Sequence, residues 1–249
     1  MSTLKIYTQS ESLIKAAAEE FCSLAEEAIR QRGRFAVALS GGTTPQPLYQ
    51  ALGSSPYESQ VNWRKVHFFW GDERHVPPDH PQSNFKMAME AMFDTISIPK
   101  RNIHRVPAEL DVHQAAQNYE EDLRAYFEGD WPRFDMILLG MGSDGHTASL
   151  FPHSEGLLEE DRWFIANLDP RSQNWRLTLT KNAINAGRRI IVLVRGRAKA
   201  EVLRDVIIGG FQREEKPIQL ILPVAGSMHW MVDRAAARKF PKEIIQMLS

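Results

Sequence analysis

Short apolar runs recur along this chain, and most break off into a loop of glycines, hydroxyls or charges. The runs are Phe35-Ala-Val-Ala-Leu39, Val66-His-Phe-Phe-Trp70, Phe134-Asp-Met-Ile-Leu-Leu139, Arg189-Ile-Ile-Val-Leu-Val194 and Ile218-Gln-Leu-Ile-Leu222. They do not alternate apolar with polar. A strand exposed on one face would alternate; a strand covered on both faces reads as a continuous run. Between them lie segments with helical spacing. Leu13, Ala17, Phe21, Leu24 and Ala28 mark a helix over residues 10–30, stopped at Gly33. Pro45 and Pro47 suit the first turn of a second helix. Ser83 or Asn84 is placed to cap a third, carrying Phe85, Met89 and Met92. Val112, Ala115, Ala116, Tyr119, Leu123 and Tyr126 mark a fourth. A fifth passes through Ala200, Leu203, Val206 and Ile207, and a last helical stretch is expected from Trp230.

Strand and helix thus alternate, which predicts an α/β fold: a doubly wound, Rossmann-like, mainly parallel sheet with helices on both faces. No repeat, linker or low-complexity segment divides the chain, so residues 1–249 are expected to form a single domain. In such sheets ligands bind beyond the carboxyl ends of the strands. The loops after Leu39, Trp70, Leu139 and Val194 are therefore the places to look for chemistry.

Composition narrows the partners. Thirty basic against 31 acidic residues leave a net charge of −1. That balance offers no field for a nucleic-acid backbone or an anionic membrane. No apolar run is long enough to span a bilayer. The amino terminus lacks the pattern of a secretory signal. The one cysteine, Cys22, excludes an internal disulfide and suits a reducing, cytoplasmic setting. It lies within the first amphipathic helix, where it packs rather than reacts. No obligate protein partner is evident.

Ser40-Gly-Gly-Thr-Thr-Pro45 follows a strand and opens a helix, so its backbone N–H groups and hydroxyls can cradle an anion. It is not a Walker loop, lacking that spacing and its lysine. Gly71-Asp-Glu-Arg-His-Val-Pro77 sets three charges and a histidine directly after an apolar strand. Asp72 and Arg74 are expected to pair, aiming the guanidinium at an anionic ligand or an oxyanion. Gly140-Met-Gly-Ser-Asp-Gly145 matches a dinucleotide fingerprint in form only. It lies past mid-chain, Pro152 follows too soon, and no acid ends the next strand. Its informative feature is Asp144-Gly-His146, a histidine poised to titrate near neutrality. Lys199, in Gly196-Arg-Ala-Lys-Ala200, suits a phosphate at a helix start. Arg176, Arg195 and Arg197 are candidates to join it in a basic cluster. There is no nucleophile elbow, no H-E-x-x-H and no zinc-ligand spacing among the eight histidines. No metal or cofactor is expected.

Taken together these loops resemble the 6-phosphogluconolactonase family, within the group sharing the glucosamine-6-phosphate isomerase fold. The matching pieces are the 40–45 loop, Gly71–Pro77 with Ser83-Asn84-Phe85, Gly140–Pro152, Arg176-Leu-Thr-Leu-Thr180 and Gly196–Ala200, in the expected order. Trp230 and Asp233 add to the likeness. The resemblance implies hydrolysis of 6-phosphogluconolactone, a phosphorylated sugar lactone, in the pentose phosphate pathway without a metal. Carried over by position, His146 is the catalytic histidine, with Asp72 and Arg74 as polar active-site residues. Ser40, Gly41, Gly42, Thr43, Arg176 and Lys199 are expected to hold the substrate phosphate.

Two other readings compete. A sugar-phosphate isomerase or deaminase of the same fold needs a further carboxylate near the histidine. The resembling isomerases carry it in a Glu-Pro segment after Asp-Gly-His, where this chain has Ser149-Leu-Phe-Pro152. A non-catalytic sugar-phosphate sensor would keep Lys199 and lose His146; both are present. The residues favour the lactonase.

Overall fold

The computed structural model describes residues 2–241 and 243. Its frame is a six-stranded, all-parallel sheet. The strands are β1 (Ser2–Tyr7), β2 (Phe35–Leu39), β3 (Val66–Trp70), β5 (Met136–Leu139), β8 (Arg189–Val194) and β9 (Ser227–Asp233), in spatial order β1-β9-β8-β5-β2-β3. Connections from β1 to β2 and from β2 to β3 run one way across the sheet. Those from β3 to β5, β5 to β8 and β8 to β9 run the other way. Right-handed crossovers put the two sets of connections on opposite faces. The reversal makes β2 and β5, which are adjacent, the topological switch point.

Helix α1 (Ser10–Arg32) buries Leu13, Ile14, Ala17, Ala18, Phe21, Cys22, Ala25 and Ala28, its sheet-facing stripe. Each large apolar side chain so buried contributes about 1.5–3 kcal/mol. Helix α2 (Gln46–Leu52) packs beside it. The remaining helices are α3 (Asn84–Ala88), capped by the Ser83 hydroxyl, α4 (Val112–Tyr126), capped by Asp111, α5 (Lys181–Asn185) and α6 (Ala200–Ile208). Cys22 is buried, and burial pushes its thiol up to about 11, so it is unreactive.

A smaller antiparallel sheet was not legible from the apolar runs. It orders β4 (Asp72–Arg74), β7 (Trp175–Leu179) and β6 (Phe164–Leu168). Gly71 alone separates β4 from β3, and its carbonyl accepts from Leu179 N at 2.9 Å. The small sheet therefore springs from the carboxyl end of the large one.

Two expectations fail. Residues 218–222 are not the fifth strand; Pro217–Leu220 forms a 3-10 turn. Pro217 cannot donate to a ladder, and the Gln219 side chain turns back to Val206 O and Gly210 O at 3.1 and 3.2 Å. The place beside β8 goes to β9, in register from Arg189↔Ser227 to Val194↔Val232. The helix expected from Trp230 is accordingly strand as far as Asp233, and its last part lies outside the described residues. With β1 on one side and β8 on the other, β9 is mostly buried and shows no period to tell strand from helix.

Two tyrosines tie down the ends of the strands that feed the loops. Tyr49 of α2, fully buried, accepts from Ser40 N at 3.0 Å and donates to Ser40 O at 2.7 Å. Tyr119 of α4 accepts from Trp70 N at 2.8 Å and donates to Trp70 O at 3.3 Å. Tyr49→Phe keeps the core volume and leaves two buried backbone groups unpaired. It should lower unfolding free energy by about 1–3 kcal/mol in urea titration; an unchanged midpoint would show that the hydroxyl holds nothing.

A second prediction comes from the amino-terminal part of β3. His67 Nδ1 lies 3.3 Å from His104 Nε2, whose ring reaches Asp122 at 3.0 Å through Nδ1. Burial, then the nearby His104, Arg34 and Arg101, push the His67 imidazole down to about 4. An unfolded histidine titrates near 6.5, so between these values the unfolded chain binds the extra proton. Stability contributed by neutral His67 is present above that window and is lost as pH falls through it. Melting temperature should therefore fall from pH 6.5 towards 4 less steeply in His67→Gln than in wild type. Parallel curves would remove His67 from the acid response.

Candidate active site

At the switch point a cavity of about 430 Å³ opens beyond the strand ends. Ser40, Gly41, Gly42, Thr43, Asp72, Arg74, His146, Arg176 and Lys199 all line it. The nine residues that the resemblance points to are thus in one place. A larger hollow of about 1000 Å³ beside His113 and Trp175 contains none of them.

Two loops leave the adjacent strands β2 and β5. The first, Ser40–Thr44, hangs from the Tyr49 clamp. The second is cross-bonded: Gly142 N donates to His146 O at 2.8 Å, and Thr147 Oγ1 donates to Gly140 O at 2.8 Å. His146 packs so closely on Gly142 that a β-carbon there would lie 2.2 Å from its Nδ1. Ala148, with φ of 46°, occupies a conformation that L-residues reach at a cost of order 1 kcal/mol, which marks the loop as constrained.

His146 Nδ1 lies 2.6 Å from Asp144 Oδ1. Burial alone would push the Asp144 carboxyl up, but the hydrogen bonds and charge of His146 outweigh it and hold Asp144 well below the usual carboxylate range. An ionised Asp144 makes Nδ1 the donor, which leaves Nε2 with a free lone pair in the neutral ring. The imidazole is part-buried against Phe151, at 4.9 Å between ring centres. The other Asp144 oxygen meets Arg171 Nη1 at 3.3 Å.

Asp72 and Arg74 do not pair as expected. Asp72 is buried and accepts from Ser149 Oγ at 2.7 Å. Arg74 Nη1 donates to Gln82 O at 2.7 Å and to Asn84 Oδ1 at 2.6 Å. Each group has a nearer partner, supplied by a segment remote in sequence or by the turn into α3. In the small sheet Arg74 stands directly opposite Arg176. Like charges across a ladder repel. Burial lowers the Arg176 pKa, and the charge of Arg74 lowers it further against the pull of Asp72, Asp169 and Glu73. An anion between the two guanidinium groups relieves that repulsion.

Lys199 is the last residue of the 3-10 turn that enters α6, as its place at a helix start implied. Burial lowers its pKa, opposed by the charge of Asp144. Arg195 and Arg197 do not join the cluster. Arg195 lines a separate hollow with Ile14 and Tyr57, and Arg197 is not at the cavity. Sequence reasoning missed Ser149, Asp169, Arg171 and the full role of Asn84. The pairing of Ser149 with Asp72 spans 77 positions, and no local pattern signals it. Among the described residues no group of histidines, cysteines or carboxylates has the arrangement to hold a metal ion. Among them, too, no helix is long and apolar enough to cross a membrane.

Known proteins resemble this chain in sequence and in fold. The model of the family of glucosamine-6-phosphate isomerases/6-phosphogluconolactonase matches residues 8–230. A 6-phosphogluconolactonase of Nostoc sp. is 41% identical over 239 residues, covering 94% of this chain and 96% of that protein. The solved structure of devB protein superposes with a TM-score of 0.89 at 32% identity, over 97% of this chain and 100% of the other. The 6-phosphogluconolactonase of Trypanosoma brucei gives 0.87 at 26% identity, over 97% and 99%. Spanning the sheet, both site loops and the small sheet, these matches establish that the chain belongs to the glucosamine-6-phosphate isomerase/6-phosphogluconolactonase family.

Proposed function

We propose that this protein hydrolyses 6-phosphoglucono-1,5-lactone to 6-phosphogluconate, in the oxidative branch of the pentose phosphate pathway. The observation that carries the reading is the single cavity in which a histidine backed by Asp144 faces three cations, Arg74, Arg176 and Lys199. Relatives named 6-phosphogluconolactonase at 41–43% identity support the substrate. The cytoplasm, where a lone thiol such as Cys22 stays reduced, is the setting that fits best.

The reaction follows from the geometry. The neutral His146 ring takes a proton from water through Nε2 as the water oxygen bonds to C1. Asp144 steadies the imidazolium that results. The carbonyl oxygen becomes an oxyanion, for which Arg74 is the side-chain cation at hand. The C1–O5 bond then breaks, and the imidazolium returns its proton to the ring oxygen. The new carboxylic acid loses its proton to solvent. Arg176, Lys199 and the N–H groups and hydroxyls of Ser40–Thr43 hold the phosphate, whose binding energy orients C1 against the water. Asp72, tied to Ser149, keeps the floor of the cavity polar and shaped. No bound metal or cofactor is required by these steps.

The segment after His146 brings Ser149 and Phe151 to the cavity and no carboxylate. That favours lactone hydrolysis over the aldose–ketose chemistry of the isomerases. A coupled assay offering the phosphorylated lactone and glucosamine 6-phosphate side by side tests the reading directly. Turnover of the amine and not the lactone would reverse it.

His146→Asn should reduce kcat by about 10²–10⁴-fold, the scale of losing an acid–base group, with the melting temperature unchanged. Rates must be corrected for spontaneous lactone opening. Near-normal turnover in a folded variant would remove His146 from the mechanism.

Lys199→Ala should cost about ten- to a hundredfold in kcat/KM on the phosphorylated lactone, the effect of one charge-assisted contact. Slow hydrolysis of unphosphorylated gluconolactone should hardly change. A loss confined to KM would mean anchoring only, whereas a fall in kcat as well would mean that the phosphate also orients C1. Equal losses on both substrates would move the phosphate site elsewhere.

A further inference from the structure

Behind the lining of the cavity sits a buried amide that no role described so far uses. Asn84, the first residue of α3, is 1% exposed. It touches three parts of the site at once. Its Oδ1 accepts from Arg74 Nη1 at 2.6 Å. Its Nδ2 donates to Asp72 O at 2.8 Å. Its amide fills the space above Gly41, where a β-carbon would fall 1.8 Å from Oδ1. The donor bond to Asp72 fixes which way the amide faces, so the oxygen must point at Arg74.

The amide is itself locked. The Glu73 carboxylate, 2% exposed, accepts from Asn84 N and Phe85 N at 2.8 Å, from Arg74 N at 2.7 Å and from Ser83 Oγ at 3.2 Å. Burial pushes this carboxyl up, and the three backbone N–H groups work against that shift. One buried acid thus binds β4 to the start of α3 and fixes the backbone that carries the Asn84 side chain.

An unrestrained arginine loses rotamer freedom when it is fixed, and here Arg176 stands opposite and repels it. Two acceptors at one end, Asn84 Oδ1 and Gln82 O, hold the guanidinium by Nη1. Among the described residues no partner takes Nη2 or Nε. We propose that Asn84 is the positioning residue for Arg74: it holds the guanidinium with its free N–H groups available to the substrate. This rests on the reading of the cavity as a lactonase site.

The test is a double-mutant cycle. Asn84→Ala, the smaller and still polar Asn84→Ser, Arg74→Ala, and each Asn84 change combined with Arg74→Ala are assayed on 6-phosphogluconolactone, with thermal melts for all. Each Asn84 variant should lose about ten- to a hundredfold in kcat/KM. Each double variant should fall within about twofold of Arg74→Ala alone, because the amide acts through the guanidinium. Losses that multiply would make Asn84 independent of Arg74 and overturn the proposal. So would wild-type rates in the Asn84 variants, or failure of both to fold. An inactive wild type would refute the lactonase reading instead. The coupling is then read from the thermal melts of the same cycle, where non-additive shifts support it and additive shifts sink it.

Discussion

A parallel sheet brings together only what lies at the carboxyl ends of its strands, and here the connections reverse direction between β2 and β5. At that point neighbouring loops cannot both be covered by their own crossovers, and a crevice remains. Ser40–Thr44 and Gly140–His146 flank it because they leave adjacent strands. Everything else in the site is built up against this pair. The Tyr49 and Tyr119 clamps are part of the same constraint. They satisfy backbone groups where β2 and β3 run out of ladder partners, so the loops start from fixed points.

The small antiparallel sheet supplies the far wall. It also explains how two carboxylates come to be buried with partners. Asp72 is met by Ser149, and Ser149 is held in turn by Thr178 and Asn167. Glu73 collects four donors. A buried carboxylate left without such partners would cost several kcal/mol, and each of these has its partners already in place. The polar lattice therefore fixes the orientation of α3, β4 and the loop after β5 relative to one another before any substrate arrives.

Electrostatic preorganisation is the common thread between this lattice and the proposed chemistry. Arg74 and Arg176 stand opposite each other in the small sheet, and burial with mutual repulsion disfavours the charged state of Arg176. An anionic substrate relieves that repulsion on entry. The Asp144–His146 pair works in the opposite sense, since the carboxylate favours positive charge on the ring as the water proton is transferred. One side of the cavity thus calls for negative charge, and the other is ready to become positive. A phosphorylated lactone passing through an oxyanion meets both demands.

Much of this was readable from the chain. Apolar runs buried on both faces mark β2, β3, β5 and β8 because burial leaves few polar residues in them, and helix caps and glycine turns are local chemistry. The expected site residues that follow β2, β3, β5 and β8 were placed together by the rule for parallel sheets, and Arg176 comes to them on β7 of the small sheet. Other features depended on distance along the chain. Residues 218–222 and 230–233 are both short and apolar. Only competition for the edge of β8, decided by the Pro217 ring and by β1 on the far side, made the second a strand and the first a turn. Asp72 and Arg74 look like a pair in sequence, yet Ser149 and Asn84 take them separately. Side chains choose the partner that packing brings nearest, and Ser149 is 77 positions away from Asp72. The sequence by itself determined four of the six parallel strands, the loops that carry chemistry and the residue types in them. Tertiary structure alone decided which of those residues hold one another, because hydrogen bonds between remote segments exist only once the two sheets have met.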